Sequence, residues 1–475
     1  MDKKISMDIS SVVKRSLGFM KRNGIRAGIN EISESFSIRK LRGSDYVLPS
    51  EHDLEVFKKL AGNLTIHPLI SVVVPAYNTD PWGFEGMMDS VLDQAYDNVE
   101  LIIADASDDK EILKRICENK EDDRIKYLSL SENKGISDNT NAALDLATGD
   151  YIALLDHDDL LTPDAFLRII ENIISFKKRC KKEPDVIYSD EDKTGWDGKT
   201  FTERNSKPDF DPNLLLNNNY ICHLTVMKAN LMKKLRFRAE YDGAQDFDLL
   251  LRAVREGATF SHVPQILYHW RTSPGSAASN TEAKTYAYEA GVMALTDHAK
   301  ELGLQADVFN LRNVGYYEFR YKGDIFDTRK DLGAVGGRIV SEPHRGKITG
   351  GIMDADGKVL YEGLPVGYTG YFHRAVCQQS AQALDIRCIR LNPALWDEFY
   401  KITGVKYSEH RTPGMVSMRP HENGRPPQDG EKIFDAQTLP EDADIEKLSL
   451  ELSRRIRALG YGMLYYPCWQ VRSHE

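Results

Sequence analysis

Tyr151-Ile152-Ala153-Leu154-Leu155-Asp156-His157-Asp158-Asp159 is the stretch on which the reading of this chain turns. An apolar run ending in clustered carboxylates has the form of a buried strand that delivers hard oxygen ligands to a pocket edge, a set suited to a divalent cation carrying phosphates. A solvated acidic turn after a strand is the plainer reading of the tetrapeptide alone. The neighbouring sequence has to choose between them.

Upstream, Ile70-Ser71-Val72-Val73-Val74-Pro75-Ala76-Tyr77-Asn78 is apolar without polar alternation, as expected of a strand covered on both faces. Met87, Met88, Val91 and Leu92 then mark a helix, and Leu101-Ile102-Ile103-Ala104 a second strand that ends in Asp105-Ala106-Ser107-Asp108-Asp109. Ile112, Leu113 and Ile116 mark the next helix. After a strand at Ile125-Lys126-Tyr127-Leu128 come Asn133-Lys134-Gly135-Ile136 and a helix through Ala142, Ala143, Leu144 and Ala147, which Gly149 is placed to end. The alternation is βαβαβαβ, so the fold class is α/β: a mostly parallel, Rossmann-like sheet with helices on both faces and right-handed crossovers. Ligands bind at the carboxyl ends of such strands, where Asn78, Asp105 and Asp156 all lie.

An ordered set of segments carries a resemblance. Val72-Val73-Val74-Pro75-Ala76-Tyr77-Asn78, Ala104-Asp105-Ala106-Ser107, Asn133-Lys134-Gly135-Ile136, Leu154 to Asp159, Tyr188-Ser189-Asp190-Glu191-Asp192-Lys193, Gln245-Asp246-Phe247-Asp248 and Leu267-Tyr268-His269-Trp270-Arg271 follow one another from about Leu69 to Gly303. Together they resemble the family 2 glycosyltransferases with the nucleotide-sugar-binding GT-A fold. The Ser-Asp-Glu-Asp-Lys and Tyr-His-Trp-Arg segments look most like the subgroup of bacterial rhamnosyltransferases and O-antigen or cell-wall polysaccharide enzymes.

The resemblance implies roles. The donor is a nucleoside-diphosphate sugar: Asp156 contacts its ribose, Asp158 ligates Mg²⁺ or Mn²⁺, and His157 lies between them. Pro75, Ala76, Tyr77, Asn78, Asp105, Asn133 and Gly135 form the nucleotide-sugar loops. The family often has two acidic residues where this chain has Ala104-Asp105, which leaves Asp105 alone. His269 stands where related enzymes place a further metal-side ligand; a histidine hydrogen-bonded under Trp270 is its other reading. Asp246 maps to the catalytic base that takes the acceptor's hydroxyl proton, and one base suffices for a single, inverting displacement. Asp248 reads as a helix cap. Asp190 and Glu191 follow the strand Val186-Ile187-Tyr188 and read either as an acceptor-side wall or as an acidic turn, and Trp270 as a sugar-stacking platform or a core tryptophan. Asn217-Asn218-Asn219-Tyr220 and His223 line the acceptor cleft or cap a loop.

Composition fits without deciding. The chain has 475 residues and 41% hydrophobic content, enough for two or three domains. It holds no apolar run of membrane-spanning length and no secretory segment near Met1. Six scattered cysteines without Cys-x-x-Cys spacing suit a reducing cytoplasm, and a net charge of -10 disfavours nucleic acid. Residues 1–43 run against that charge with ten Lys or Arg and four Asp or Glu. There Val12, Val13, Leu17 and Met20 form one helical face with Lys14, Arg15, Lys21 and Arg22 around it: a pattern for the anionic inner face of the cell membrane, where a lipid-linked glycan acceptor would sit, or for a solvated helix packed on its own protein.

The expected domains are a basic helical extension over 1–68, a GT-A domain over 69–304 and an accessory domain over 305–475. The last repeats neither the first strand nor the Asp signature. In a gap-free comparison Asp248-Leu249, Gly257 and Pro264 fall on Glu451-Leu452, Gly460 and Pro467, with Asp246 opposite Ser449, which reads as a degenerate glycosyltransferase half without its base. Gly367-Tyr368, Gly370-Tyr371-Phe372 and Leu459-Gly460-Tyr461 have the look of an acceptor half, and His410 to Gly430 reads as a loop. The alternatives are a non-catalytic glycan-binding or assembly subunit, which has no need for Asp156, Asp158 and Asp246 together, and a nucleotidyltransferase, which would carry a Gly-rich phosphate loop where Pro75 to Asp80 has no glycine.

Overall fold

The apolar runs become central strands because neighbours cover both of their faces. In the computed structural model, which describes residues 19–37, 43–272, 285–342, 346–411 and 432–472, β1 (Ile70–Ala76), β2 (Val99–Asp105), β3 (Ile125–Ser129) and β4 (Tyr151–Leu154) lie parallel in the order β3-β2-β1-β4. Ala76 pairs with Asp105 and Val73 with Leu154, so the carboxyl ends of β1, β2 and β4 share one edge. Between them run α2 (Pro81–Leu92), α3 (Glu111–Asn119) and α4 (Ile136–Leu146); α1 (Glu51–Gly62) precedes β1. Asp80 caps α2 and Pro81 opens it, and Phe84, Met87, Met88 and Val91 then bury against Val72, Val74, Leu101 and Ile103.

Past β4 the sheet continues through β5 (Leu160–Leu161), β6 (Val186–Gly195), β7 (Phe201–Asn205), β8 (Thr225–Lys228) and β9 (Phe260–Thr272) in the order β4-β8-β6-β9-β5, with β7 paired to β6. β8 is antiparallel to both β4 and β6, and β9 is parallel to β6. Strands β6 and β9 therefore point the same way as β4 and deliver their ends to the same edge. Helix α5 (Ala165–Cys180) covers this half, and α6 (Ala229–Leu235) and α7 (Gln245–Arg255) link β8 to β9. This curled, mostly parallel sheet is the α/β architecture expected from the alternation.

Three local expectations need correction. Gly149 does not end α4, whose last residue is Leu146. It sits where a Cβ would lie 2.6 Å from the Leu69 carbonyl oxygen, and its amide donates to Ser71 Oγ at 2.9 Å, so glycine is there for close backbone approach. β6 does not stop at Tyr188 but carries Asp190-Glu191-Asp192 inside the strand, paired with β7 and β9. The expected domain limits also shift: the chain divides into one compact unit of residues 42–210 and 219–298, and a second of residues 1–41, 211–218 and those beyond 298. Residues 42–68 belong with the first because α1 puts Ala61 into its core, with Phe57 packed against it.

The second unit is a smaller α/β body. β10 (Ala306–Asn310) and β11 (Tyr317–Tyr321) form a hairpin. A five-stranded sheet joins β12 (Leu332–Val340), β13 (Ile348–Gly350), β14 (Gln379–Ser380), β15 (Ile389–Leu391) and β16 (Gly462–Arg472), with β12 and β16 parallel. Ser449, on the helix Ile445–Ala458 before β16, is buried and accepts the Ile386 amide at 3.0 Å. A short strand, Glu409–Arg411, pairs with Lys432–Phe434 at the start of the expected loop, the rest of which, 412–430, lies outside the described residues. So do Val12, Val13, Lys14, Arg15 and Leu17 of the basic face. The helix Ile25–Ser37 that follows buries Glu34, whose carboxylate accepts the amides of Thr369 and Gly370 at 2.6 to 2.9 Å.

Candidate functional site

Strand ends and loop glycines shape the first wall. Asn78, at φ +47, donates from its amide to Ser107 Oγ at 2.9 Å and exchanges side-chain bonds with Asp108, tying the loop after β1 to the loop after β2. Tyr77 beside it is exposed, Pro75 is partly buried, and the Ala76 carbonyl accepts the Ala106 amide. Asp105 is wholly buried: Tyr127 donates to one oxygen at 2.7 Å and the Ser107 amide to the other at 2.8 Å. It holds these loops in shape. At the start of α4 the Asn133 carboxamide accepts from Gly135 and Asn139. Gly135 has φ +99, and a Cβ there would stand 2.3 Å from an oxygen of Asp242, which caps α4 through Ser137 N.

The second wall is the acidic run after β4. The side chain of Asp156 is 46% exposed, and His157 and Asp158 are partly exposed beside it. Asp159 turns inward instead, wholly buried, accepting from the Tyr268 hydroxyl and at 2.7 Å from the Arg271 amide, which locks the loop onto β9. Burial pushes Asp159 well above the usual carboxyl range, with Asp156 and Asp158 adding to it. Asp158 is raised mainly by burial, with Asp156 reinforcing and His157 opposing. Desolvation would raise Asp156 too, but His223, with Nε2 3.6 Å from Asp156 Oδ2, holds it below its ordinary value.

Asp246 comes from another quarter. It is the second residue of α7, where unpaired amides and the helix dipole favour a carboxylate. The Phe247 amide donates to one oxygen at 2.8 Å and the Asn219 carboxamide to the other at 2.9 Å. Asp248, the expected cap, is buried and bound by Arg238 and Arg252, a purely structural use. From Asp246 the Cys222 thiol leads back: Cys222 Sγ lies 3.3 Å from His223 Nδ1, and His223 Nε2 faces Asp156. One thiol and one imidazole thus span the two aspartates. Trp270 is 40% exposed and its ring centroid stands 5.7 Å from that of His223.

Asp190 and Glu191, expected on the acceptor side or in an acidic turn, lie buried among partners of the protein itself. Asp190 is 1% exposed; His262 Nε2 and the Lys207 amide each lie 2.9 Å from Oδ1, and Arg204 approaches Oδ2. Glu191 accepts from Asn205 at 3.0 Å and from the His223 amide at 2.5 Å, with the buried Lys207 ammonium 3.4 Å away. Both are committed within the sheet. Asn217 and Asn218 bond instead within the second unit, to Gln378 and Gly315.

Asp192 and His269 form a buried pair through Nδ1, with Ser44 donating to Asp192 at 2.6 Å, while the rings of Tyr46 and Phe201 flank the imidazole. His269 Nε2 is buried without a hydrogen-bond partner. A carboxylate on Nδ1 that leaves Nε2 as a free lone pair is the arrangement found behind metal-binding histidines. Among the described residues no group of three or more His, Cys, Asp or Glu could hold a metal by itself. Leu160, next along from Asp159, pairs with His269 across β5 and β9.

Residues 71–235 match the family model described as Glycosyl transferase family 2. The uncharacterized protein y4gI of Sinorhizobium fredii (strain NBRC 101917 / NGR234) is 42% identical over 246 residues, 50% of this chain and 26% of that protein. The O-antigen biosynthesis protein RfbC of Myxococcus xanthus is 27% identical over 263 residues, 54% of this chain and 20% of its own length. The chain thus spans about a quarter or less of these curated relatives. A crystal structure of S. aureus TarS residues 1–349 overlaps 49% of this chain and 65% of that one at 19% identity and a TM-score of 0.37.

Proposed function

We propose that this chain, a family 2 glycosyltransferase by its residues 71–235, moves a hexose such as rhamnose from a nucleoside-diphosphate sugar to a bacterial surface polysaccharide or lipid-linked glycan, with inversion. The observation that carries the reading is the bridge Asp156–His223–Cys222–Asp246, which sets a carboxylate at the nucleotide edge and a carboxylate at a helix start on one short path. Asp156 contacts the donor's ribose. Asp246 takes the proton of the acceptor hydroxyl as its oxygen attacks the anomeric carbon from the face opposite the diphosphate. Asp158 and His269 would hold Mg²⁺ or Mn²⁺ on the donor phosphates, where the cation supplies charge to offset the leaving diphosphate. Trp270 offers an apolar plane for the acceptor sugar. The named role of RfbC in O-antigen biosynthesis supports the acceptor class.

The test is a donor screen with Mn²⁺ or Mg²⁺ that follows nucleoside-diphosphate release from dTDP- and UDP-sugars in the presence of glycan acceptors. Release by wild type and its loss in Asp246→Asn sustain the reading; equal rates in both remove Asp246 as base.

A cytoplasmic site of action at the membrane face belongs to the same proposal. On the helix Ile25–Ser37 the exposed Ile25, Ile29 and Phe36 fall on the side opposite the buried Glu34, an arrangement that suits peripheral contact with anionic lipid beside Lys21 and Arg26. No helix among the described residues is long and apolar enough to cross a membrane. The second unit is proposed as a degenerate half: like α7 and β9, its helix Ile445–Ala458 leads into a long strand parallel to an earlier one, and Ser449 in place of the base is spent on a backbone amide.

A further inference from the structure

We infer that His223 is a positioning residue that sets the donor carboxylate and the base against each other, with its two ring nitrogens doing separate work. The inference rests on the assignment of Asp156 to the donor and Asp246 to the acceptor proton.

His223 sits in the irregular stretch between Asn219, which holds Asp246, and β8, with its side chain mostly buried. Its backbone amide donates to Glu191 Oε2 at 2.5 Å, and its carbonyl accepts from Lys207, so the main chain is fixed without help from the ring. The ring stands 4.8 Å from Tyr268 and 5.7 Å from Trp270, centroid to centroid, which leaves it little rotational freedom. Held that way, Nε2 points at Asp156 Oδ2, 3.6 Å off, and Nδ1 at Cys222 Sγ, 3.3 Å off, with Glu191 Oε2 at 3.8 Å.

Glu191 and Lys207 therefore do not face substrate; they are the clamp on the main chain that aims the imidazole. Cys222 interacts with both His223 and Asp246, and Asn219 donates to Asp246 Oδ2 at 2.9 Å. Through Nε2 the ring orients Asp156 for the ribose. Through Nδ1 and the thiol it limits where the Asp246 carboxylate can stand. Orientation of this sort acts on rate because a displaced reacting group leaves the near-attack geometry.

The two nitrogens can be separated by side chains that reproduce one each: the Gln amide reaches the Nε2 position and the Asn amide the Nδ1 position. Donor KM, kcat and the binding of the nucleoside diphosphate by calorimetry are measured for wild type, His223→Ala, His223→Gln and His223→Asn, with melting temperatures alongside. His223→Ala is expected to raise donor KM and lower kcat by about tenfold each, the size of one lost charge-assisted contact. His223→Gln restores donor KM and nucleotide binding without restoring kcat; His223→Asn restores kcat without restoring KM. A role that is only structural would move both parameters together with the melting temperature in all three variants, and that result overturns the inference. So does an active wild type whose three variants stay within twofold of it. If wild type itself neither binds nucleotide nor releases it from any donor, the transferase reading falls first and takes this inference with it.

Discussion

Two acidic runs lie on the same sheet and meet opposite fates. Asp156-His157-Asp158-Asp159 follows β4, where the strand has ended and only Asp159 finds buried partners, so Asp156 and Asp158 stay at the rim. Asp190-Glu191-Asp192 lies inside β6, where Arg204, Lys207, His262 and His269 arrive from the neighbouring strands and loops and take up its oxygens. As sequence the two are alike, an apolar run and then carboxylates. What separates them is whether the strand continues: a carboxylate inside a paired strand must be compensated by its neighbours, whereas one just past a strand end remains available to ligand.

The largest effects should fall on the available side. Asp246→Asn keeps one acceptor oxygen for the Phe247 amide, a flipped Asn219 carboxamide can accept from the new NH2, and the ability to take a proton is lost, so transfer should drop by about a hundred to a thousandfold with the melting temperature little changed. Initial rates at saturating donor, beside a thermal melt, check it. A variant that loses rate and stability together would put Asp246 with the structural carboxylates and break the contrast.

The mirror experiment is Asp190→Ala. Removing that carboxylate leaves His262 and the Lys207 amide without their acceptor and strips one partner from Arg204, and breaking a buried pair from one side costs about 3 to 5 kcal/mol. Urea denaturation should show the loss. Should Asp190→Ala prove as stable as wild type but slow with long acceptors, the acceptor-wall reading would return.

These two runs also mark how far the sequence could be read. β1 to β4 were legible because parallel strands covered on both faces are continuous apolar runs, and the periods of α2 and α4 stand out between them. The places of Asp156 just past a strand and of Asp246 in the first turn of a helix were legible from the apolar run before the one and the apolar side of the helix after the other. The burial of Asp190 was not, because it depends on β6 pairing with strands that begin fifteen or more residues later and with β9, joined by contacts that no local pattern records. His223 was visible only as a polar residue near a loop: it has no periodicity, and its partners Asp156 and Glu191 come from distant segments. Gly149 misled for a related reason, since a glycine that permits close approach to Leu69 looks the same in sequence as one that ends a helix.

A third carboxylate gives the contrast a scale. Glu100, buried at the start of β2, is pushed up by desolvation but pulled down further by Lys126, Ser71 and Thr148, to about 2 from an ordinary 4.5. Its folded value lies below its unfolded one, so it contributes stability that is fully present above about pH 4.5 and fades as pH falls toward 2. Glu100→Gln should therefore cost about 3 kcal/mol near neutral pH and little near pH 2. A constant difference across that range would mean the partners bind Gln and Glu alike and that compensation inside this sheet is weaker than supposed.

The smallest effect belongs to Trp270, where burial and availability meet on one side chain. It stands on β9 between His269 and Arg271, both of which turn into the protein, so strand alternation forces Trp270 outward to 40% exposure on the side of His223. Because it is already partly in water, Trp270→Ala should change stability by about 1 kcal/mol or less, unlike a core tryptophan, for which about 3 to 5 is usual. A stacking plane for a sugar ring is worth about 0.5 to 1.5 kcal/mol, so acceptor KM should rise by roughly threefold to tenfold while donor KM stays put. Titration of acceptor at saturating donor reads this directly. A rise in donor KM instead would move Trp270 to the nucleotide side of the Asp156–Asp246 bridge, and a large loss of stability with neither KM altered would return it to the core.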